Sequence, residues 1–339
     1  MTTVEEALAQ LDPKIRKRIA TGENIKIEMQ PTPSTGLNRA LGGGFPYGRQ
    51  VLLWGSKSSA KSSLCLQTIG MAQKDGKLCA WIDAEMSYDE EWAKKLGVDT
   101  SKLIYSDARS INDMVDICVG LLGAGVDLIV IDSISSLLPA VYFEKDSDEL
   151  KPLDQTKQIG AESKDLKHAW LMLNYANNKD REKPALIIAI SQSRNNIQAT
   201  YTQAAPTGGL TTQFMSSTIV KLFSSASDSQ AIKAKVKIGD KLIEQKVGRK
   251  VRWEVLNSKT SAPGDSAEYD FYYRGDLIGV DTVGDLADTA ELLGFVNRTG
   301  AWYQLEDGTK LQGRDAFVER LRSDEDLQKR LMEKVNNAG

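Results

Sequence analysis

The chain has 339 residues, 41% hydrophobic and 26% charged, with a formal net charge of −3. This is the profile of a soluble globular protein long enough for one large domain and a smaller one. It excludes a membrane-spanning chain, since no apolar run reaches the roughly 18 residues a bilayer needs; a coat of nucleic acid is not implied either, although local basic patches stay open.

From the N-terminus, Val4, Ala7, Leu8, Leu11, Ile15 and Ile19 recur at helical spacing, interrupted near Pro13. This predicts a short amphipathic arm, packed on its own domain or on a neighbouring subunit. "MTTVEEALAQLDPKIRKRIA" has no apolar centre of a signal peptide, so a cytoplasmic address is expected. Ser34 or Thr35 can start the helix "LNRAL", which Gly42–Gly44 would end. "QVLLWG" reads as a strand running into Gly55–Ser63, "GSKSSAKSS", followed by the helix "SSLCLQTIGMAQKDG". Strand, loop with Lys-Ser, then helix is the setting of a phosphate loop, G-x-x-x-x-G-K-[ST].

In such a loop, backbone N–H groups across Gly55, Ser56, Lys57, Ser58, Ser59, Ala60 and Ser63 surround the phosphates. Lys61 serves the β/γ oxygens and Ser62 a Mg²⁺ ion. Ala60 stands where the second glycine belongs. If that position needs a positive φ, Ala costs about 1–2 kcal/mol. That is far less than losing Lys61, so a working site is expected.

"LCAWIDAE", "VDLIVIDSISSLLP" and "ALIIAISQS" are further apolar strands, alternating with the helices "SYDEEWAKKLGV" and "SINDMVDICVGLLGAG". The alternation predicts a doubly covered parallel sheet, with ligands at the carboxyl ends of the strands. Gly55, Glu85, Asp132 and Gln192 all fall at such ends. Asp132 suits the acid that orients the metal and its waters. Glu85 can polarise an attacking water, and Gln192 can sense a γ-phosphate. The long polar segment after Gln192 carries Arg194 as a phosphate contact and Tyr201 as a stacking face.

From about residue 217, starting with "STIVKLFSS", antiparallel strands are expected. Residues 233–252 hold eight Lys/Arg against two Asp/Glu, either a solvated edge or a landing surface for nucleic-acid backbone. Residues 278–339 predict a small α+β unit. Cys65, Cys79 and Cys118 sit in apolar surroundings without C-x-x-C spacing and read as buried hydrophobes. His168, the single histidine, reads as an ordinary helix residue, so a His-based metal site or triad is not expected.

"STGLNRALGGGFPYGR", "WIDAE", "YDEEWAKKLGVD", "VDLIVIDSISSLLP", "SQSR", "TGG", "AEYDFYY" and "GAWYQL" occur in this order. On these segments the chain resembles the bacterial RecA recombinase family, as a phage-borne relative in a bacterial host cell. The resemblance implies a RecA-like P-loop ATPase core with a mostly parallel sheet flanked by helices. It also implies an arm over 1–33, a core over 34–277 with two DNA-binding loops, and a C-terminal domain over 278–339. It implies a DNA-stimulated ATPase that uses ATP and Mg²⁺, forms helical filaments on single-stranded DNA and exchanges strands with a homologous duplex. Single-strand-binding and loader proteins are its expected helpers.

By the same resemblance Glu85 is the catalytic carboxylate and Gln192 the γ-phosphate sensor. Asp89 and Trp92 hold the adenine, and Tyr273 contacts adenine from the neighbouring subunit. Lys259 reaches across the subunit interface to the γ-phosphate, while its companion position is Asn257. The DNA contacts implied are Lys167, Arg194, Asn195, Asn196, Tyr201, Thr207, Gly208, Gly209 and, for the incoming duplex, Arg252. Phe214 couples DNA to nucleotide across the interface. Lys57 stands where an acid is usual, and Asn174 where an arginine is usual. A ring-forming helicase motor and a non-catalytic strand binder are the rival readings of the same core.

Overall fold

The computed structural model describes residues 3–16, 26–144, 149–156, 160–179, 183–195, 204–224, 230–238 and 241–338. The arm begins with helices α1 (Val4–Ala9) and α2 (Pro13–Arg16). Thr3 and Glu6 cap α1 reciprocally, yet neither helix buries a residue. Strands β1 (Met29–Gln30) and β2 (Phe45–Pro46) form a ribbon around α3 (Thr35–Ala40), which Ser34 caps.

The main sheet then starts with β3 (Gln50–Gly55), followed by α4 (Lys61–Lys74), β4 (Cys79–Asp83), α5 (Glu90–Lys95) and β5 (Leu103–Asp107). Next come α6 (Ile111–Gly123), β6 (Leu128–Asp132), α7 (Ala161–Asn178), β7 (Leu186–Asn195), β8 (Ala204–Pro206), α8 (Gly209–Met215) and β9 (Thr218–Phe223). A long hairpin of β10 (Ala231–Ile238) and β11 (Lys241–Ser258) leads to β12 (Ser266–Tyr272) and β13 (Gly279–Val280). The order across the sheet is β13-β12-β11-β9-β3-β7-β6-β4-β5.

From β9 to β5 every neighbouring pair is parallel. Strands β3, β4 and β6 are apolar on both faces because both are covered. Val51, Leu53, Trp81, Val130 and Ile188 point into one core with α3, α4 and α5; Leu52, Trp54, Ile82, Ile131 and Ile187 point into the other with α6 and α7. The alternation of successive side chains thus divides each strand between two cores.

Three expectations need correction. β9, expected antiparallel, pairs parallel with β3 and antiparallel only with β11. β7 does not end at Gln192 but continues to Asn195, where β8 pairs with it antiparallel. β5, unforeseen, is a partly exposed edge strand whose sequence, "LIYSD", lacks a long apolar run.

A third core lies in the C-terminal region. It joins α9 (Thr282–Leu292), α10 (Arg314–Arg322) and α11 (Glu325–Asn337) to a three-stranded sheet of β14 (Asn297–Thr299), β15 (Trp302–Gln304) and β16 (Lys310–Gln312). Tyr303 stacks on Phe317 there, with ring centroids 5.1 Å apart. Among the described residues no helix is long and apolar enough to cross a membrane. The three cysteines are buried and free, as their apolar settings predict.

Candidate nucleotide and nucleic-acid site

Strand register brings the candidate residues together. Gly55 pairs with Gln192 across β3 and β7, and Asp83 with Asp132 across β4 and β6. Gly55, Asp83 and Asp132 end their strands, Gln192 is the last residue of β7 paired with β3, and Glu85 lies two residues past the end of β4.

The loop from Gly55 to Ala60 turns on two left-handed residues that are not glycine, Ser58 at φ 60° and Ala60 at φ 62°. Ala60 is the N-cap of α4 and offers no side chain to the first N–H groups of the helix. Those donors and the helix dipole remain available to an anion. Lys61 Nζ donates to the Ser56 carbonyl at 2.8 Å, to Ser59 Oγ at 3.3 Å and to the Gly55 carbonyl at 3.4 Å. Its partners are neutral and the side chain is buried, so burial pulls the ammonium below its ordinary pKa while Asp132 and Glu85 oppose. Ser56 Oγ, also buried, finds no hydrogen-bond partner among the described residues. A buried cation with only neutral partners, beside an orphaned hydroxyl, fits a phosphate group.

Asp132 is 3% exposed and accepts a hydrogen bond from Ser62. Burial, with help from Glu85 and Asp83, pushes its carboxyl up from 3.8 to about 6, against the pull of Ser62 and Lys61. Glu85 Oε1 accepts from Ser133 Oγ and from Gln192 Nε2, both at 2.6 Å. Gln192 N donates to Ser135 Oγ at 2.9 Å, and Thr207 Oγ1 donates to the same oxygen at 2.8 Å. Thr207 N in turn donates to Ser191 Oγ at 2.9 Å. A continuous polar chain therefore joins Glu85 to the segment leading into α8. Sequence reasoning missed Ser133 and Ser135; the serine run in "DSISSLLP" is the only trace of them.

Asp89 caps α5 by accepting from Trp92 N at 3.0 Å, and Trp92 Nε1 donates to Ser63 Oγ at 3.1 Å. The candidate base-side residues are thus tied to the first turn of α4. Tyr273 is linked to the phosphate loop through Arg249. The Arg249 guanidinium lies 5.5 Å over its ring and also donates to the Ser58 carbonyl, which places Tyr273 near its own chain's loop.

The nucleic-acid candidates divide. Asn196 and Tyr201 lie outside the described residues; Arg194 and Asn195 are described in backbone only, as the end of β7. Gly208 and Gly209 open α8 at φ 76° and 60°. A Cβ on Gly208 would come within 2.1 Å of Thr212 Oγ1, so this turn requires glycine. Thr207, expected to contact DNA, is 1% exposed and its hydroxyl donates to Ser135, which makes it a link in the polar chain. Lys167 is exposed on α7. Arg252 is exposed on β11, 5.5 Å over the Phe223 ring.

Phe214 and Lys259 stand at the far end of the sheet. Phe214 is 77% exposed near the end of α8, just before Ser217 N bonds to the Gln50 carbonyl. Lys259 follows β11, where Ser258 pairs with Thr218, itself paired with Val51. Gly55 lies four residues further along β3, about 13 Å at ~3.3 Å per residue.

The family model described as RecA N-terminal domain matches residues 2–294, and that described as RecA C-terminal domain matches residues 284–338. Protein RecA of Chloroherpeton thalassium is 33% identical over 91% of this chain and 81% of its own length. Protein RecA of Clostridioides difficile is 31% identical over 99% and 91%, and that of Mannheimia haemolytica 31% over 98% and 87%. A phosphate loop, a strand-end carboxylate and two family models covering nearly the whole length lead to one conclusion: the chain belongs to the RecA family of ATP-dependent recombinases, which are DNA-dependent ATPases.

Proposed function

We propose that this chain hydrolyses Mg²⁺-bound ATP at the loop Gly55–Ser63 and uses the site to control a filament on single-stranded DNA that pairs with a homologous duplex. The observation that carries this reading is the link from Glu85 through Gln192, Ser135 and Thr207 to α8. It gives a γ-phosphate sensor a path to the nucleic-acid segment.

Lys61 and the α4 N-terminus stabilise phosphate charge, and Glu85 orients and deprotonates the attacking water. Ser62 and Asp132 would hold the ion. Mg²⁺ is bound through few protein oxygens together with phosphate and water, which a site of Ser62 and Asp132 beside the phosphate loop would suit. When bound, the ion neutralises charge on the phosphate oxygens. Asp89, Trp92 and Tyr273 flank the base. Lys167, Arg194, Asn195, Asn196, Tyr201, Gly208 and Gly209 serve the single strand, and Arg252 the duplex.

Phe214 and Lys259 serve the next subunit's nucleotide from the far end of the sheet. A head-to-tail contact that does not close yields a filament. The arm over 1–33, the core over 34–277 and the C-terminal unit over 278–339 divide the work; the third core draws only on residues from Val283 to Val335.

The test is ATP hydrolysis with and without single-stranded DNA, for the natural chain and for Lys61→Ala. DNA should stimulate the first and not the second. DNA binding without hydrolysis in the natural chain would favour the strand-binder reading.

A further inference from the structure

Arg249 was not among the site candidates, yet it touches two of them. It lies on β11, three residues from Arg252, where the basic hairpin joins the main sheet. Its Nη1 donates to the Ser58 carbonyl at 3.0 Å, and its guanidinium lies 5.5 Å over the Tyr273 ring.

The contact with Ser58 falls where the loop most needs a restraint. Ser58 and Ala60 both hold left-handed backbone without being glycine, a conformation that L-residues leave readily. The Ser58–Ser59 peptide is planar and trans, so its C=O and N–H point in opposite directions. Holding the Ser58 oxygen toward β11 aims the Ser59 N–H the other way. Arg249 therefore sets the direction of a backbone donor in the phosphate loop. Through Tyr273 it fixes the ring beside that loop with the same guanidinium.

We infer that Arg249 is a positioning residue for ATP, holding the Ser58 turn and the Tyr273 ring of its own chain in the geometry that receives the nucleotide. The inference rests on the nucleotide site proposed above. Arg249 orients the groups that bind ATP; it is not itself a catalytic residue. Because it sits at the base of the hairpin that displays Lys233, Lys235 and Lys246 on its exposed surface, it also ties that hairpin to the loop.

The experiment measures KM and kcat for ATP hydrolysis on single-stranded DNA, together with binding of a fluorescent ATP analogue. The variants are Arg249→Ala, Arg249→Met, Arg249→Lys and Lys61→Ala, with Ser58→Gly alone and combined with Arg249→Met. Loss of a charge-assisted but partly exposed hydrogen bond should raise KM roughly three- to tenfold in the Ala and Met variants, with kcat within about twofold. Arg249→Lys should recover part of the loss. In the Ser58→Gly background the Met substitution should have a different effect, since the two residues act on one turn. Arg249→Met keeps the apolar stem and carries the test if Arg249→Ala does not fold. An unchanged KM, a loss confined to kcat, or full additivity with Ser58→Gly overturns the inference. No analogue binding by the natural chain, or undiminished binding by Lys61→Ala, overturns the nucleotide site itself.

Discussion

Replacing Asp132 by Asn should make the nucleotide-free protein more stable while abolishing hydrolysis. Burial of a carboxyl that is 3% exposed pushes it up from 3.8 to about 6, and Glu85 and Asp83 add to the rise against the pull of Ser62 and Lys61. At ~1.36 kcal/mol per pH unit, this displacement is worth about 3 kcal/mol. The folded state binds the extra proton, so stability falls as pH rises between about 4 and 6 and stays lowered above that. Asn has no charge to desolvate and can still accept from Ser62. Urea unfolding of Asp132→Asn against the natural chain should therefore show a gain of up to about 3 kcal/mol at pH 7.5, shrinking toward zero at pH 4. A variant less stable at pH 7.5, or one with the same gain at both pH values, would refute burial as the dominant cause.

Gln192→Ala removes a 2.6 Å bond to Glu85, and the ratio of ATP hydrolysis with DNA to that without should fall toward unity while ATP binding persists within about threefold. Ala60→Gly places glycine at φ 62° and should raise unfolding stability by about 1 kcal/mol, net of glycine's greater unfolded-state entropy; denaturant midpoints at constant slope will measure it. Phe214→Ala truncates a side chain that is 77% exposed, so monomer stability should change by less than ~0.5 kcal/mol. Light scattering with ATP and DNA should nonetheless show that assembly of Phe214→Ala is lost or greatly weakened.

The parallel half of the sheet was legible because strands buried on both faces have to be apolar throughout, as "VLLW", "LIVI" and "LIIAI" are. β9 was misread because pairing direction follows from the connection made by α8, not from the composition of "TIVKLF". The strand ends that gather Gly55, Glu85, Asp132 and Gln192 could be anticipated, since doubly wound topology forces them together. The bonds among them could not. Ser133, Ser135 and Arg249 act through side-chain reach across strands and loops, which leaves no periodic signature. The resemblance at "TGG" pointed Thr207 at DNA; its bond to Ser135 depends on the fold and had no trace in that segment.

The placement of Phe214 and Lys259 at one end of the sheet and the phosphate loop at the other has a counting consequence. Under the proposed function each chain carries two half-sites, one toward each end of the sheet. An open row of chains always has one fewer complete site than it has chains, and a lone chain has none. Turnover per chain should rise with filament length and with protein concentration, then level off. Hydrolysis at the one end whose phosphate loop has no neighbour to complete it should be the slowest, so that end would hold its nucleotide longest.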